Sequence, residues 1–188
     1  NVGVAIDPGN VVVALRRQFE TNWQMFAVRG VLAFALVAVL IVRFYYGIHV
    51  LTPSFALYAF ADAAALLVAA VWRAPPNGRA WLLVTDALVG FAAGAAVFAR
   101  PLLPEFSLVI VIGLRVGIGG VLLLMSATRL DGHAGQRVMV AAGMASVLFT
   151  AALFAAPHVG LSWRLAIYLL VFGVLNFALA WQLRASRR

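Results

Sequence analysis

Six stretches of about 20 apolar residues divide this sequence, near 23–43, 54–72, 81–99, 106–127, 138–156 and 162–183. Each is long enough to cross the hydrocarbon core of a bilayer as a helix. The breaks between them carry Pro, Gly and charge, as loops do: Thr52-Pro53-Ser54, the run from Ala74 to Arg79 with Pro75-Pro76, Arg100-Pro101 with Pro104-Glu105, Asp131-Gly132-His133, and Pro157-His158. None could hold a folded extramembrane domain. The predicted fold is therefore all-α, an integral membrane bundle of six transmembrane helices made of three repeated hairpins, about 23–73, 81–129 and 138–184. The transmembrane domain takes in 23–188, and 1–22 is a separate cytoplasmic or interfacial segment. There Asn10 is expected to cap a short helix with Val12, Leu15 and Phe19 on one face and Arg16, Arg17 and Glu20 on the other, a pattern that suits the membrane surface, with a disordered tail as the alternative.

Composition agrees with this pattern. Of 188 residues, 65% are hydrophobic and 11% charged, where a soluble domain has about 25% charged. The net charge of +8 comes from arginine alone. The arginines stand at the ends of the apolar runs, which points to membrane anchoring rather than nucleic acid. Arg16, Arg17, Arg73, Arg79, Arg129, Arg137, Arg184, Arg187 and Arg188 fall on one side, and only Arg43, Arg100 and Arg164 on the other. The positive-inside rule then places both termini in the cytoplasm. Arginine without lysine, with abundant Ala, Val and Gly, suggests a GC-rich bacterial genome, so the expected location is a bacterial inner membrane. No removable signal peptide is expected, because the first apolar run is long enough to span.

The chain repeats at a period of roughly 55 residues. The first helices align Arg29-Gly30, Asp86-Ala87 and Ala142-Gly143. The second helices align Tyr58 and Asp62 with Arg115 and Gly119, and then with Tyr168 and Phe172. Each second helix closes at an arginine, Arg73, Arg129 or Arg184.

In these features the sequence resembles the HdeD-like family of bacterial membrane proteins. That family has three hairpins with Arg-Gly in the first helix, an acidic residue at the equivalent place in the third, and a small residue before Gly in the fifth. The stretch from Tyr58 to Asp62 is similar to the family's aromatic–Ala–Leu–Val–Asp stretch, and the resemblance runs from Trp23 to Arg184. The chain departs from the family at Asp86-Ala87, where Glu-Gly is usual, and at Arg115, where an aromatic is usual. It also lacks a Trp near the start of the fifth span. The resemblance implies a stress or acid-resistance role and assigns no activity to any residue.

Four charges fall inside spans: Arg29, Asp62, Asp86 and Arg115. Each alone costs about 2.5–3.5 kcal/mol at a helix centre, so partners are expected. Matched depth pairs Arg29 with Asp86 and Asp62 with Arg115, as structural pins or as a relay for protons. Gly90 with Gly94, and Gly113 with Gly117, have the spacing that lets helix backbones approach, and Gly30 and Gly143 join them as packing positions. Asn176 is expected to hydrogen-bond between helices.

Other chemistry finds little to work with. The chain has no cysteine, which removes thiolate catalysis and Cys-held metals. His49, His133 and His158 lie in loops or at span ends without metal-ligand spacing, and most of the tryptophans and tyrosines cluster near span ends as an interfacial belt. No nucleophile–base set or phosphate loop can be assembled, so no enzyme, cofactor or metal is expected. The expected role is non-enzymatic, through association in the membrane, as an HdeD-like stress protein or an accessory subunit of a larger membrane complex. The bilayer, such a complex or further copies of the chain are the partners, and nucleic acid is not. The alternative is a small proton or solute transporter using the buried charges.

Overall fold

The computed structural model describes residues 23–44, 51–72, 81–99, 105–128, 135–157 and 160–185. The segment 1–22 and the three histidines lie outside them. The described chain forms six helices: α1 (Trp23–Phe44), α2 (Leu51–Trp72), α3 (Trp81–Ala99), α4 (Glu105–Ala127), α5 (Gln136–Ala155) and α6 (Leu161–Ala185). All six are long and apolar enough to cross a membrane, and the protein is a multi-pass membrane protein.

Two helix starts differ from the sequence reading for local reasons. Thr52-Pro53-Ser54, read as a loop, forms the first turn of α2. Proline is tolerated there because first-turn N–H groups have no acceptor within the helix. α5 starts at Gln136 directly after Gly135, whose φ is 95°. A Cβ at Gly135 would also meet Leu179 Cδ1 at 2.8 Å, so both backbone shape and space require glycine.

Each helix packs on its neighbours in sequence, and α6 closes the circle against α1. Three seams are much closer than the rest: α2–α3, α4–α5 and α1–α6. All three join helices of different hairpins, and glycine is the reason. A Cβ at Gly90 of α3 would lie 2.9 Å from the Ala63 Cβ of α2, and one at Gly94 3.0 Å from Phe60. Between α4 and α5, Gly120 and Gly143 bring the backbones together: a Cβ on either would lie within 3.0 Å of the other's carbonyl oxygen. Gly113 and Gly117 in the same seam receive Phe154 and Thr150. Gly30 of α1 faces Phe177 and the Gly173 carbonyl of α6. Without a hydrophobic drive between helices in lipid, this close van der Waals contact is what holds them.

The interior is filled by Phe26, Phe55, Leu66, Ile112, Leu153, Leu165 and Leu169 among others, all nearly inaccessible. The outer surface carries Val42, Leu57, Phe98, Leu114, Leu148 and Trp181, one from each helix and all more than half exposed. Two arginines tie the helix ends. The Arg164 guanidinium donates to the carbonyls of Ala156 and Ala152, and so caps the end of α5 together with the Ala156 N–H bond to Ala152 O. Arg184 lies over the Trp23 ring, 5.3 Å from its centroid, and holds the last turn of α6 on the first turn of α1.

Candidate functional site

Arg29 stands six residues into α1 and Asp86 five into α3, roughly 9 and 8 Å along their axes at the helical rise. Asp62 and Arg115 lie near the middles of α2 and α4. The reach of the two arginine side chains bridges this offset, and all four groups meet in one ring.

Arg29 Nε donates to Asp62 Oδ1 at 2.8 Å, and its Nη2 to Asp62 Oδ2 at 3.2 Å. Arg115 Nη2 donates to that same Oδ2 at 2.8 Å, and Arg115 Nη1 to Asp86 Oδ1 at 2.5 Å. Arg29 Nη1 completes the circuit 3.5 Å from Asp86 Oδ2, an ion pair without a hydrogen bond. Positive and negative groups alternate, none is more than 7% exposed, and the ring as a whole is neutral.

The sequence suggested two pairs, Arg29–Asp86 and Asp62–Arg115. In the structure both contacts are sides of the one ring. The forked Arg29–Asp62 contact and the short Arg115–Asp86 contact are its other two sides. Depth arithmetic treats a residue as a point on the helix axis and misses this, because an arginine reaches beyond its own level and offers a planar fork to two acceptors.

The ring also explains the looser seams. Arg29–Asp62 crosses from α1 to α2, and Asp86–Arg115 from α3 to α4. In the third hairpin, Tyr168 Oη and Ser146 Oγ lie 2.9 Å apart. Ser146 Oγ also donates to Ala142 O, so its single proton is committed and Tyr168 is the donor between them. Phe149 stacks on Tyr168 with centroids 4.3 Å apart. Each hairpin is thus held internally by a polar link, while glycine seams, with the Arg115–Asp62 hydrogen bond between the first two, hold the hairpins to each other.

Glycine shapes the ring as well. A Cβ at Gly119 would lie 2.9 Å from Arg115 Nη1 and 3.4 Å from Asp86 Oδ1. A Cβ at Gly90 would lie 3.3 Å from Arg115 Nε. The other face of the ring is aromatic, with Arg29 Cζ 5.5 Å from the Phe172 centroid. Asn176, expected to bridge helices, donates Nδ2 to Phe172 O of its own helix at 2.8 Å. That bond uses one of its donors on a local carbonyl one turn back, which is always within reach.

Two small cavities flank the ring. The first, about 30 Å3, is lined by Arg29, Tyr58, Asp62, Arg115, Ser146 and Tyr168 with apolar neighbours from α2, α4 and α6. The second, about 20 Å3, lies toward the end of the bundle where α1 begins, lined by Arg29, Asp86, Ser126 and apolar residues. Tyr58, Arg115 and Tyr168 occupy equivalent repeat positions, and so do Asp62, Gly119 and Phe172. All six line the first cavity, so the repeat converges on the bundle axis. Ser146 escaped the sequence reading, although a hydroxyl one turn beyond Ala142 was the available signal.

Chemically, the site can hold charge, accept and donate hydrogen bonds, and contain water-sized guests. Among the described residues no group of three His, Cys, Asp or Glu side chains could hold a metal ion. No protein family model matches the chain, and neither a curated protein nor a solved structure is similar to it.

Proposed function

We propose that this protein is a non-enzymatic, HdeD-like membrane protein that acts by association within the bilayer, as a stress or acid-resistance protein or as an accessory subunit of a larger membrane complex. Its setting is a bacterial inner membrane with both termini cytoplasmic, as the arginine distribution suggests. The observation that carries this reading is the separation of polar and apolar groups. The four buried charges neutralise one another inside the bundle, and every helix turns large apolar side chains outward. Such a surface offers partners apolar contact through the lipid and little for a water-soluble molecule to hold.

Extraction of the tagged protein from its native membrane in mild detergent, with mass spectrometry of what co-purifies, tests the accessory role. Stoichiometric recovery with one membrane complex supports it. Recovery of the chain alone from several detergents removes that role and leaves a free-standing protein.

A second reading, a proton path, is favoured by one observation: cavities of water size lie on both sides of the ring. Proton flux in proteoliposomes that disappears with Asp62→Asn supports it, and no flux above protein-free vesicles rejects it.

A further inference from the structure

Each guanidinium offers five N–H donors, and each spends two in hydrogen bonds to ring carboxylates. One more, on Arg29, points across 3.5 Å toward Asp86. Most of the donors on two nearly inaccessible guanidinia therefore have no hydrogen-bond acceptor among the described residues. Buried donors in an apolar medium are costly to leave in that state. The Tyr58 hydroxyl is in the same position: Tyr58 lines the first cavity and its hydroxyl has no hydrogen bond among the described residues. A tyrosine hydroxyl away from water normally has a partner. Tyr168 donates its proton to Ser146, which leaves its oxygen free to accept.

The volumes match these needs. A water requires roughly 10–15 Å3 of such space and two to four polar partners. The first cavity has about 30 Å3 and the second about 20 Å3. Both border Arg29. The first also exposes Arg115, Asp62, Tyr58 and Tyr168. The second exposes Asp86 and Ser126, on the side where the Arg29–Asp86 contact is too long for a direct hydrogen bond.

We propose that the charge ring is a water-binding site. Water in the first cavity accepts from the Arg29 and Arg115 guanidinia and the Tyr58 hydroxyl, and donates to Tyr168 Oη and Asp62. A water in the second bridges Arg29 Nη1 to Asp86 with help from Ser126. A divalent metal is excluded by two guanidinia at the same place, and the apolar remainder of both linings rejects larger polar solutes. The ring is then a hydrated core, in which water stabilises four charges where a dry ring would leave donors open. This holds whether or not protons cross the bundle.

The test is water-edited solid-state NMR on 15N-arginine-labelled protein in liposomes, reading magnetisation build-up from water into the guanidinium signals. In the wild type, Arg29 and Arg115 should build up nearly as fast as exposed Arg184. Val116→Leu, which places a larger side chain in the first cavity, should slow Arg115 several-fold and leave Arg184 unchanged. Tyr58→Phe, which keeps the packing and removes one water partner, should slow it less. Guanidinium build-up at Arg29 and Arg115 as slow as at the buried backbone amides of the same two residues in the wild type would overturn the proposal. So would an Arg115 signal indifferent to both substitutions in folded protein. Because the readout is hydration, a null result in the flux assay leaves this conclusion intact, and the converse also holds.

Discussion

The unequal sides of the ring make a double-mutant cycle the most demanding test of its geometry. Arg29 holds Asp62 through two hydrogen bonds of 2.8 and 3.2 Å, but it meets Asp86 only at 3.5 Å. The perturbations are Arg29→Met, Asp62→Asn and Asp86→Asn, each singly and then in the two pairs. Any single substitution leaves a net charge in the bundle interior and is expected to cost about 3–5 kcal/mol, with Asp62→Asn at the upper end because Asp62 accepts hydrogen bonds from both arginines. Each double substitution restores neutrality, so the cost of the unbalanced charge enters both couplings alike, and the difference between the two cycles reports the direct contact. The forked, charge-assisted Arg29–Asp62 pair should couple more strongly than Arg29–Asp86, by about 1.5–3 kcal/mol. The assay is reversible unfolding in mixed micelles, followed by tryptophan fluorescence and helix content. Arg29–Asp86 coupling equal to or larger than Arg29–Asp62 coupling would refute the described pairing.

Gly119→Ala should cost about 1–3 kcal/mol, because the added methyl meets Arg115 Nη1 at 2.9 Å, whereas Gly160→Ala, with nothing within 4 Å, should be near neutral in the same unfolding measurement. Tyr168→Phe removes the Ser146 hydrogen bond but keeps the stack on Phe149, and a loss of about 1 kcal/mol is expected; a loss as large as that of Asp62→Asn would mean that Tyr168 belongs to the ring itself. Arg164→Ala removes the charged donor at the Ala152 and Ala156 carbonyls, so faster hydrogen exchange confined to the end of α5 and a global cost of roughly 0.3–1 kcal/mol are expected.

Much of the architecture was legible in the chain. Six apolar runs separated by proline, glycine and arginine can form only helices in lipid, since each backbone polar group needs an internal partner there. The four charges stood out because such residues are expensive in a bilayer. That each arginine meets both carboxylates was not legible, because this depends on reach and rotation about the helix axis, and sequence depth encodes neither. The closeness of α1 to α6 was equally hidden, although Gly30 and Gly173 lay in view. Nothing local says that the glycine of the first helix meets the glycine of the last. Asn176 shows the limit from the other side: a polar residue in a span invites an interhelical partner, yet its own helix offers a carbonyl one turn away.

The pairing has a consequence for how the chain enters the membrane during synthesis. Arg29 emerges on α1 and its forked partner Asp62 on α2, the next helix made. Asp86 emerges on α3 and its shortest partner Arg115 on α4. Each of the first two hairpins therefore carries one positive and one negative group that neutralise each other, and can leave the insertion machinery as an uncharged unit without waiting for the rest. The third hairpin carries no charge at these positions and needs no such escort. The α1–α6 seam must wait for the last helix, and it closes on glycine packing and on the Arg184–Trp23 contact, neither of which leaves a charge inside the bundle exposed in the meantime. The order in which charges find partners thus follows the order of translation.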